Sequence, residues 1–173
     1  MAMFTGVNNV ASSALAEVFG LKTAAQHRGY HLTNLECGCP HGFIHTGWQR
    51  AVELILPMKD EYNNYMSFNR TFYRINEANA KQLAIEGKVF EDKESESFIV
   101  CGARFQHQAA LHIAMMSGDY NKCIDSAVNF AKAQGLKKVS CTYAIENEKL
   151  ESALKARGFT AEKSDLITKE VVF

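Results

Sequence analysis

The sequence lacks any apolar run that approaches the length needed for a membrane-spanning helix, which is about 18 residues. Its N-terminus also lacks a basic segment followed by a continuous apolar stretch, which is the pattern of a secretory signal. We therefore expect neither a membrane span nor secretion. A soluble protein in the cytoplasm is the location that these absences predict.

An excess of charge is missing as well. The chain has 19 basic and 19 acidic residues, and its Lys and Arg residues never form a run of three. No overall field draws the protein towards nucleic acid or an anionic membrane, so neither partner is expected.

The number of cysteines is five. An odd number in a chain of this size argues against a secreted disulfide framework and predicts reduced thiols.

Internal repeats and low-complexity tracts are also absent. The 173 residues fit one domain, and an apolar content of 47% is enough for a substantial core. We expect the chain to fold without disulfide or metal cross-links.

The clearest architectural signal lies between residues 109 and 159. The pattern predicts a strand over 110–116, a turn at Ser117-Gly118-Asp119 and a helix ending before Gly135. A second strand over 138–144 and a helix closed by Gly158 follow. The first of these helices has an apolar stripe with a period of 3.6 residues, made of Ile124, Ala127, Val128 and Ala131. A strand, a helix and a strand at this spacing predict a parallel pair with a right-handed connection.

The N-terminal segment over residues 12–25 is rich in alanine and compatible with a helix. Ser12 or Ser13 can serve as its N-cap. Its larger apolar residues fall mostly on one face, and they are Leu15, Val18, Phe19 and Leu21. We interpret this segment as a packing or oligomerisation helix, through which the chain would meet a protein partner or a second copy of itself.

A cluster of potential metal ligands follows between His27 and Trp48. Cys37 and Cys39 form a C-x-C pair, and His41 and His45 form an H-x-x-x-H pair directly after it. Thiolate and imidazole are the usual ligands of tetrahedral Zn²⁺, so these four residues are candidate zinc ligands. Two other interpretations stay open. The histidines can simply be solvent-facing in a loop, or one of the two cysteines can be a nucleophile with a histidine as base.

The middle of the chain alternates between short elements. A helix is predicted from Thr46 until Pro57, which disfavours helical backbone at the preceding residue. The aromatic residues between 59 and 75 are better explained by core packing than by base stacking, because few basic residues accompany them. A strand over 70–75, a helix over 77–86 capped by Asn76, a loop over 90–96 and a hairpin of strands 97–105 and 109–116 are expected next. A terminal strand is predicted within 162–173.

The C-terminal half resembles the GCN5-related N-acetyltransferase (GNAT) family. The residues that carry the resemblance are Asn147, Leu150, Leu154, Lys155, Arg157, Gly158 and Phe159, which are similar to that family's N-x-x-A-x-x-L-Y-x-K-x-G-F ending. The preceding segment over 135–147 matches the glycine, strand and asparagine that lead to this helix. The resemblance covers residues 70–173 and implies a mixed α/β fold, a central mixed sheet flanked by helices. Residues 1–69 would then form a mainly helical N-terminal extension.

The resemblance also implies a reaction and a site. Family members transfer an acetyl group from acetyl-CoA to an amine, and the thioester enters between two splayed parallel strands. On this basis Gly118, Asn121, Lys122 and Asn147 are the candidate cofactor-binding residues. The candidate catalytic residues are His112 as a general base and Tyr143 or Cys141 as an acid. The acceptor would be a small molecule or a protein amine.

Three residues depart from the family pattern. Met115 and Tyr120 stand where the diphosphate-binding loop has Gln or Arg and a small residue, and Leu154 stands where a tyrosine acid is common. Asp119 also brings a negative charge to the place expected for a diphosphate. An N-terminal cap for the helix, supplied by Ser117 or Asp119, is the simpler physical account. A second hypothesis is therefore a catalytically degenerate structural or binding protein, for example in a phage particle or a host-factor complex. Metal binding by the cysteine and histidine cluster is the third.

Overall fold

A computed structural model of the protein describes residues 2–36, 42–68, 71–104 and 107–171. The strands in these residues are β1 (Ala2–Gly6), β2 (Leu21–Leu32), β3 (Ile44–His45), β4 (Tyr65–Phe68), β5 (Thr71–Arg74), β6 (Val89–Asp92), β7 (Ser97–Arg104), β8 (His107–Ser117), β9 (Lys138–Ala144), β10 (Thr160–Ala161) and β11 (Leu166–Val171). The helices are α1 (Val10–Val18), α2 (Trp48–Ile55), α3 (Glu77–Ile85), α4 (Tyr120–Ala133) and α5 (Glu148–Ala156), and a 3-10 turn (Leu56–Lys59) extends α2.

One large mixed sheet organises the described chain. Its strand order is β1-β11-β2-β9-β8-β7-β6-β3, and the short β10 pairs with β2. The strands β8 and β9 are parallel, whereas the other neighbours are antiparallel. The predicted mixed sheet flanked by helices is confirmed. Strands β4 and β5 form a separate hairpin.

The segment from β8 to α5 follows its sequence signals closely. The side chain of Asp119 caps α4, and that of Asn147 caps α5. Gly135 and Gly158 follow the helix ends with left-handed backbone, at φ values of 69° and 79°, which glycine adopts without a Cβ clash. The predicted strand, helix, strand and helix are therefore confirmed, and so is the parallel pair.

The two faces of the sheet carry separate apolar cores. On one face, α4 and α5 bury residues such as Ile124, Ala127 and Leu154 against strands β8 and β9. On the other face, α2, α3 and the β4–β5 hairpin bury residues such as Ile55 and Met66. Burying apolar surface on both sides explains why the central strands are rich in apolar residues at successive positions.

The N-terminal part differs from its prediction. The helix expected over 12–25 ends at Val18, because Gly20 adopts a left-handed φ of 76°. The residues after Gly20 form β2, which pairs with β11 on one side and β9 on the other. Within the described residues of this part, 2–36 and 42–68, strands are as extensive as helices, so the part is not mainly helical. Long-range pairing of β2 overrides the local helical preference of its alanines.

Two further differences are local. Residues of the loop expected over 90–96 belong partly to β6, which pairs with β7. The expected boundary at residue 69/70 does not coincide with an edge of the sheet, since β1 and β2 lie in the same sheet as β8 and β9. In the described parts of the chain, no helix has the length and apolar composition required to cross a membrane.

Candidate functional site

The parallel strands β8 and β9 separate at their C-terminal ends. Their pairing runs from Ala110 opposite Lys138 to Ile113 opposite Cys141, and the strands then continue to Ser117 and Ala144. On the other side of β8, the register with β7 shifts after Ile113, which makes Ala114 an extra residue in β8. Such a bulge bends and twists a strand, which explains the separation. We call the space between residues 114–117 and 142–144 the donor cleft, because the resemblance places the acyl donor there.

A buried tyrosine bonds to the main chain at this cleft. The Tyr62 hydroxyl donates to the carbonyl oxygen of Met116 at 2.8 Å and accepts from its N–H at 2.9 Å. Tyr62 is 4% exposed, and burial raises its pKa well above the ordinary tyrosine value. The adjoining strand β4 contacts both β8 and β9. The polar main-chain groups of Met116 are therefore satisfied by the chain itself.

The neighbouring Glu61 joins the two helices that follow the separated strands. Its carboxylate accepts a hydrogen bond from the Tyr120 hydroxyl at 2.7 Å and another from the Asn147 side-chain amide at 3.0 Å. Tyr120 is the first residue of α4, and Asn147 caps α5. We call these contacts, with those of Tyr62, the Glu61–Tyr62 bridge. The bridge spans the ends of both strands of the donor cleft.

The N-terminus of α4 is also occupied by a carboxylate of the chain. Asp119 accepts hydrogen bonds from the backbone N–H groups of Asn121 and Lys122 at 3.0 and 3.2 Å. Its own backbone N–H donates to the Ser97 hydroxyl at 2.8 Å. Gly118 has a φ of 85°, and a Cβ there would lie 2.5 Å from the Ser97 hydroxyl oxygen. The turn therefore packs tightly against Ser97.

These residues do not fit the acetyl-CoA that the fold implies. Bare N–H groups at a helix N-terminus bind a diphosphate, but Asp119 already satisfies those of Asn121 and Lys122 and would repel an anion. Tyr62 satisfies the Met116 main chain inside the cleft. Leu154, where the family often has its tyrosine acid, is fully buried in the core. Of the residues predicted to bind the cofactor, Gly118, Asn121, Lys122 and Asn147 lie at the mouth of the donor cleft, but their contacts are made within the chain.

His112 lies on the face of the sheet that carries α2 and α3. It is 2% exposed, and its Nδ1 lies 2.8 Å from the Ser140 hydroxyl oxygen. Ser140 in turn donates to the carbonyl oxygen of Leu111 at 3.3 Å. With its proton directed at the Leu111 carbonyl oxygen, the Ser140 hydroxyl oxygen is placed to accept a hydrogen bond from a protonated Nδ1 of His112. The ring centre of Phe68 lies 6.0 Å from that of His112.

The other two predicted catalytic residues lie on the opposite face. Cys141 and Tyr143 belong to the core beneath α4 and α5. Burial raises the pKa of the Cys141 thiol to about 12. Burial, and next the Tyr30 phenol stacked beside it at 5.6 Å, raises the pKa of Tyr143. The structure thus separates His112 from Cys141 and Tyr143, because successive residues of a strand point to opposite faces.

Most of the predicted metal site falls outside the described residues. This applies to Cys37, Cys39 and His41. His45 is exposed on β3, and its ring packs on Phe90 with the centres 4.4 Å apart. Within the residues that the structure describes, no group of three or more His, Cys, Asp or Glu side chains could hold a metal ion. The zinc site stays a prediction.

A cavity opens beside the β4–β5 hairpin. It has a volume of about 440 Å³, and its lining includes Phe68, Leu83, Glu86 and Lys88. The Lys88 ammonium lies 5.2 Å from the ring centre of Phe68 and forms an ion pair with Glu86. This volume is within the range of small-molecule sites, roughly 300 to 1,000 Å³. The face of the sheet that carries His112 therefore has a cavity large enough for a small molecule, beside the β4–β5 hairpin.

Sequence reasoning missed Glu61 and Tyr62. The partners of these residues lie 54 to 86 positions further along the chain. No local pattern marks such contacts, and the sequence predicts only core packing for Tyr62. Of the two predicted caps of α4, Ser117 and Asp119, the structure has Asp119.

Neither the family models nor the curated protein sequences match this chain. Solved structures do match its fold. An acetyltransferase of the GNAT family from Colwellia psychrerythraea has a TM-score of 0.60 and 14% identity, and the match covers 97% of this chain and 63% of that one. A Drosophila protein has a TM-score of 0.67 and 12% identity, covering 98% and 60%.

A tandem GNAT protein from the clavulanic acid biosynthesis pathway has a TM-score of 0.58 and 10% identity, covering 97% and 63%. This chain thus spans 60 to 63% of the length of these three structures. In this chain the matched fold comprises the mixed sheet, its flanking helices and the parallel pair β8 and β9. The chain has the fold of the GCN5-related N-acetyltransferases.

Proposed function

We propose that this chain is a binding module with an acyltransferase fold whose donor cleft is closed by its own residues. The single observation that supports this most strongly is the pair of hydrogen bonds between the Tyr62 hydroxyl and the Met116 main chain. Glu61 extends the closure to the N-termini of α4 and α5. In this role the fold supplies a rigid scaffold, and binding surfaces elsewhere carry the function.

Energetics supports closure over donor binding. Displacing Tyr62 leaves the N–H and C=O of Met116 without their partner, and each buried group left unsatisfied costs about 1–3 kcal/mol. Displacing the Asp119 carboxylate from α4 removes an N-terminal cap, which costs about 1 kcal/mol more. A donor would have to offset both costs and also accept the negative charge of Asp119 near its phosphates.

Acyl transfer is the second candidate function. The observation that favours it is the separation of β8 and β9 beyond Ile113 and Cys141, which is the geometry the resemblance associates with an acyl-CoA donor and an amine acceptor. The buried pair of His112 and Ser140 would then be a candidate group for proton transfer.

Calorimetry with acetyl-CoA separates the two candidates. We expect no heat of binding at millimolar ligand and no protection of Lys122 from chemical modification. A variant in which Glu61 and Tyr62 are both replaced by alanine tests whether the Glu61–Tyr62 bridge prevents acetyl-CoA from binding. Tyr73→Ala, on the exposed side of the hairpin, is its control. Saturable binding to the unaltered protein, with turnover of an amine acceptor, would establish acyl transfer and exclude the closed binding module.

A further inference from the structure

Helix α1 presents its apolar face to solvent and its small polar face to the sheet. The solvent-facing residues are Val10, Ala11, Ala14, Leu15, Val18 and the C-cap residue Phe19. The large ones among them are 74% exposed at Val10, 59% at Leu15, 80% at Val18 and 67% at Phe19. The more buried positions are Ser12, Ser13 and Ala16. This is the reverse of the arrangement in an ordinary surface helix, whose apolar stripe faces the core.

The only charged residue of this helix is engaged with the sheet. Glu17 accepts a hydrogen bond from the Lys169 ammonium at 2.6 Å, and the Lys169 side chain is 2% exposed. The same ammonium lies 3.5 Å from the Ser13 carbonyl oxygen. These contacts fix the orientation of α1 on β11, so the apolar face is held outwards. We call this face the α1 surface.

The α1 surface is large enough to matter energetically. Its four large side chains are each more than half exposed. Together they form an apolar patch of the kind that reaches about 300 to 600 Å² on an ordinary monomer. A standard protein interface buries about 800 Å² on each partner. The α1 surface therefore supplies much of the area that one partner buries in such an interface, and adjacent residues must supply the remainder.

Strand β1 offers that contribution. It lies at the end of the sheet next to β11, and in the described chain β11 is its only strand neighbour. Its residues, Ala2 to Gly6, include no charged residue and no proline. Exposed edge strands are commonly protected by such residues, so β1 lacks two of the usual protections against pairing with another chain.

We propose that the α1 surface is the interface of a homodimer, in which α1 packs against α1 of a second copy across a two-fold axis. A two-fold interface requires a patch that complements itself. The α1 surface meets this requirement because it has no free charge to repel its copy, and because Ala11 and Ala14 let the helices approach closely between the larger side chains. The inference rests on the proposed binding role and names the partner.

A protein partner fits this surface better than a lipid one. Helices that lie in a membrane interface usually carry Lys or Arg on their polar face. Between Val10 and Phe19 the sequence has neither residue. The one charged group of α1, Glu17, is a carboxylate paired with Lys169, and its negative charge does not attract anionic headgroups.

Sedimentation equilibrium over micromolar to submillimolar protein tests the proposal. We expect the unaltered chain to form a dimer and Leu15→Glu to be monomeric, with at least a tenfold weaker association. Ile85→Glu is the matched control, since Ile85 is a 64% exposed apolar residue on α3. It should dimerise like the unaltered chain. All three proteins should have the same far-ultraviolet circular dichroism, because both substituted side chains are exposed.

Several outcomes would overturn the homodimer. One is a monomer at every concentration, and another is a dimer that Leu15→Glu leaves intact. Binding of the monomer to vesicles of phosphatidylcholine and phosphatidylglycerol, lost in Leu15→Glu, would assign the surface to membranes instead. The acetyl-CoA calorimetry is independent. A dimer that binds acetyl-CoA would support the homodimer interface and contradict the closed-cleft function. A monomer that gives no heat of binding would contradict the interface and support the closed cleft.

Discussion

The hydroxyl of Tyr62 bonds to both main-chain groups of a single residue, Met116, at 2.8 and 2.9 Å. This contact joins the segment before β4 to the bulged end of β8 and supports the closed donor cleft. It also leads to the first prediction. Tyr62→Phe keeps the ring and removes the hydroxyl, which leaves the Met116 N–H and C=O unsatisfied.

We expect Tyr62→Phe to lower the free energy of unfolding by about 1–3 kcal/mol. Denaturant titration measures the change, and hydrogen exchange at the Met116 amide should be faster in the variant. Tyr73→Phe, at a ring that is 40% exposed, is the control and should be nearly neutral. Equal effects of the two substitutions would argue against a structural role for the hydroxyl.

The turn before α4 gives a second prediction through its glycine. A Cβ at Gly118 would lie 2.5 Å from the Ser97 hydroxyl oxygen and 2.8 Å from the Glu96 carbonyl oxygen, whereas one at Gly135 would meet nothing within 4 Å. Both residues have positive φ. Gly135→Ala should therefore cost about 1 kcal/mol from the left-handed backbone alone.

Gly118→Ala should cost about 1–3 kcal/mol more, because backbone atoms must move to relieve the overlap. Thermal and denaturant unfolding of the two variants give the comparison. If the Gly118 variant were as stable as the Gly135 variant, the close packing of this turn on Ser97 would be disproved.

Buried His27 makes stability depend on pH. Its side chain packs on Phe72 with ring centres 4.8 Å apart, and burial lowers its pKa to about 4. Below about pH 6.5 the unfolded chain binds a proton that the folded chain does not, so stability falls as the pH drops towards 4. The loss approaches about 3 kcal/mol.

His27→Leu should flatten this dependence between about pH 7 and pH 4.5. Chemical denaturation at a series of pH values provides the measurement. The contribution of Asp165 to stability is lost in a separate, more acidic pH range. Hydrogen bonding to Arg28 lowers the pKa of its carboxyl, so its contribution is lost only at pH values below the ordinary Asp range. An unchanged pH dependence in His27→Leu would show that His27 is not the titrating group.

The buried thiols should be chemically inert in the folded protein. Cys101, Cys123 and Cys141 are all buried and free. Burial raises the pKa of Cys123 and Cys141 to about 12 and raises that of Cys101 as well. The thiolate is the reactive form, so iodoacetamide at mildly alkaline pH should label these three residues only after unfolding. Peptide mass spectrometry identifies the labelled sites. Rapid labelling of Cys141 in the native protein would contradict this prediction and support Cys141 as a candidate acid.

The cysteine and histidine cluster remains open to a direct test. If Cys37, Cys39, His41 and His45 hold zinc, protein purified without chelator should contain about one equivalent of the metal. The Cys37→Ser/His41→Ala double variant should lose it and melt at a lower temperature. Cys101→Ser is the control for metal content alone, because this thiol lies outside the cluster. A metal-free protein whose melting temperature is the same in the double variant would exclude the site.

Local signals explain why one part of the chain was predicted well. Asp119 and Asn147 cap their helices through side-chain oxygens within three residues, and Gly135 and Gly158 end them with left-handed backbone. The apolar stripe of α4 repeats every 3.6 residues. All of these are relationships within one element, so the sequence by itself determined the order from β8 to α5 and the resemblance that follows from it.

Long-range contacts decided the rest. The residues of β2 have helix-compatible composition, yet they form a central strand because β11 and β9 supply hydrogen bonds on both sides. Separation of His112 from Cys141 and Tyr143 followed from the strand register. Glu61 and Tyr62 meet partners 54 to 86 residues away, which no local pattern encodes. The sequence thus determined the order of the elements from β8 to α5 through short-range caps and periodicity. Only the tertiary structure brought Tyr62 to Met116 and Glu61 to the ends of α4 and α5, because these contacts join distant segments.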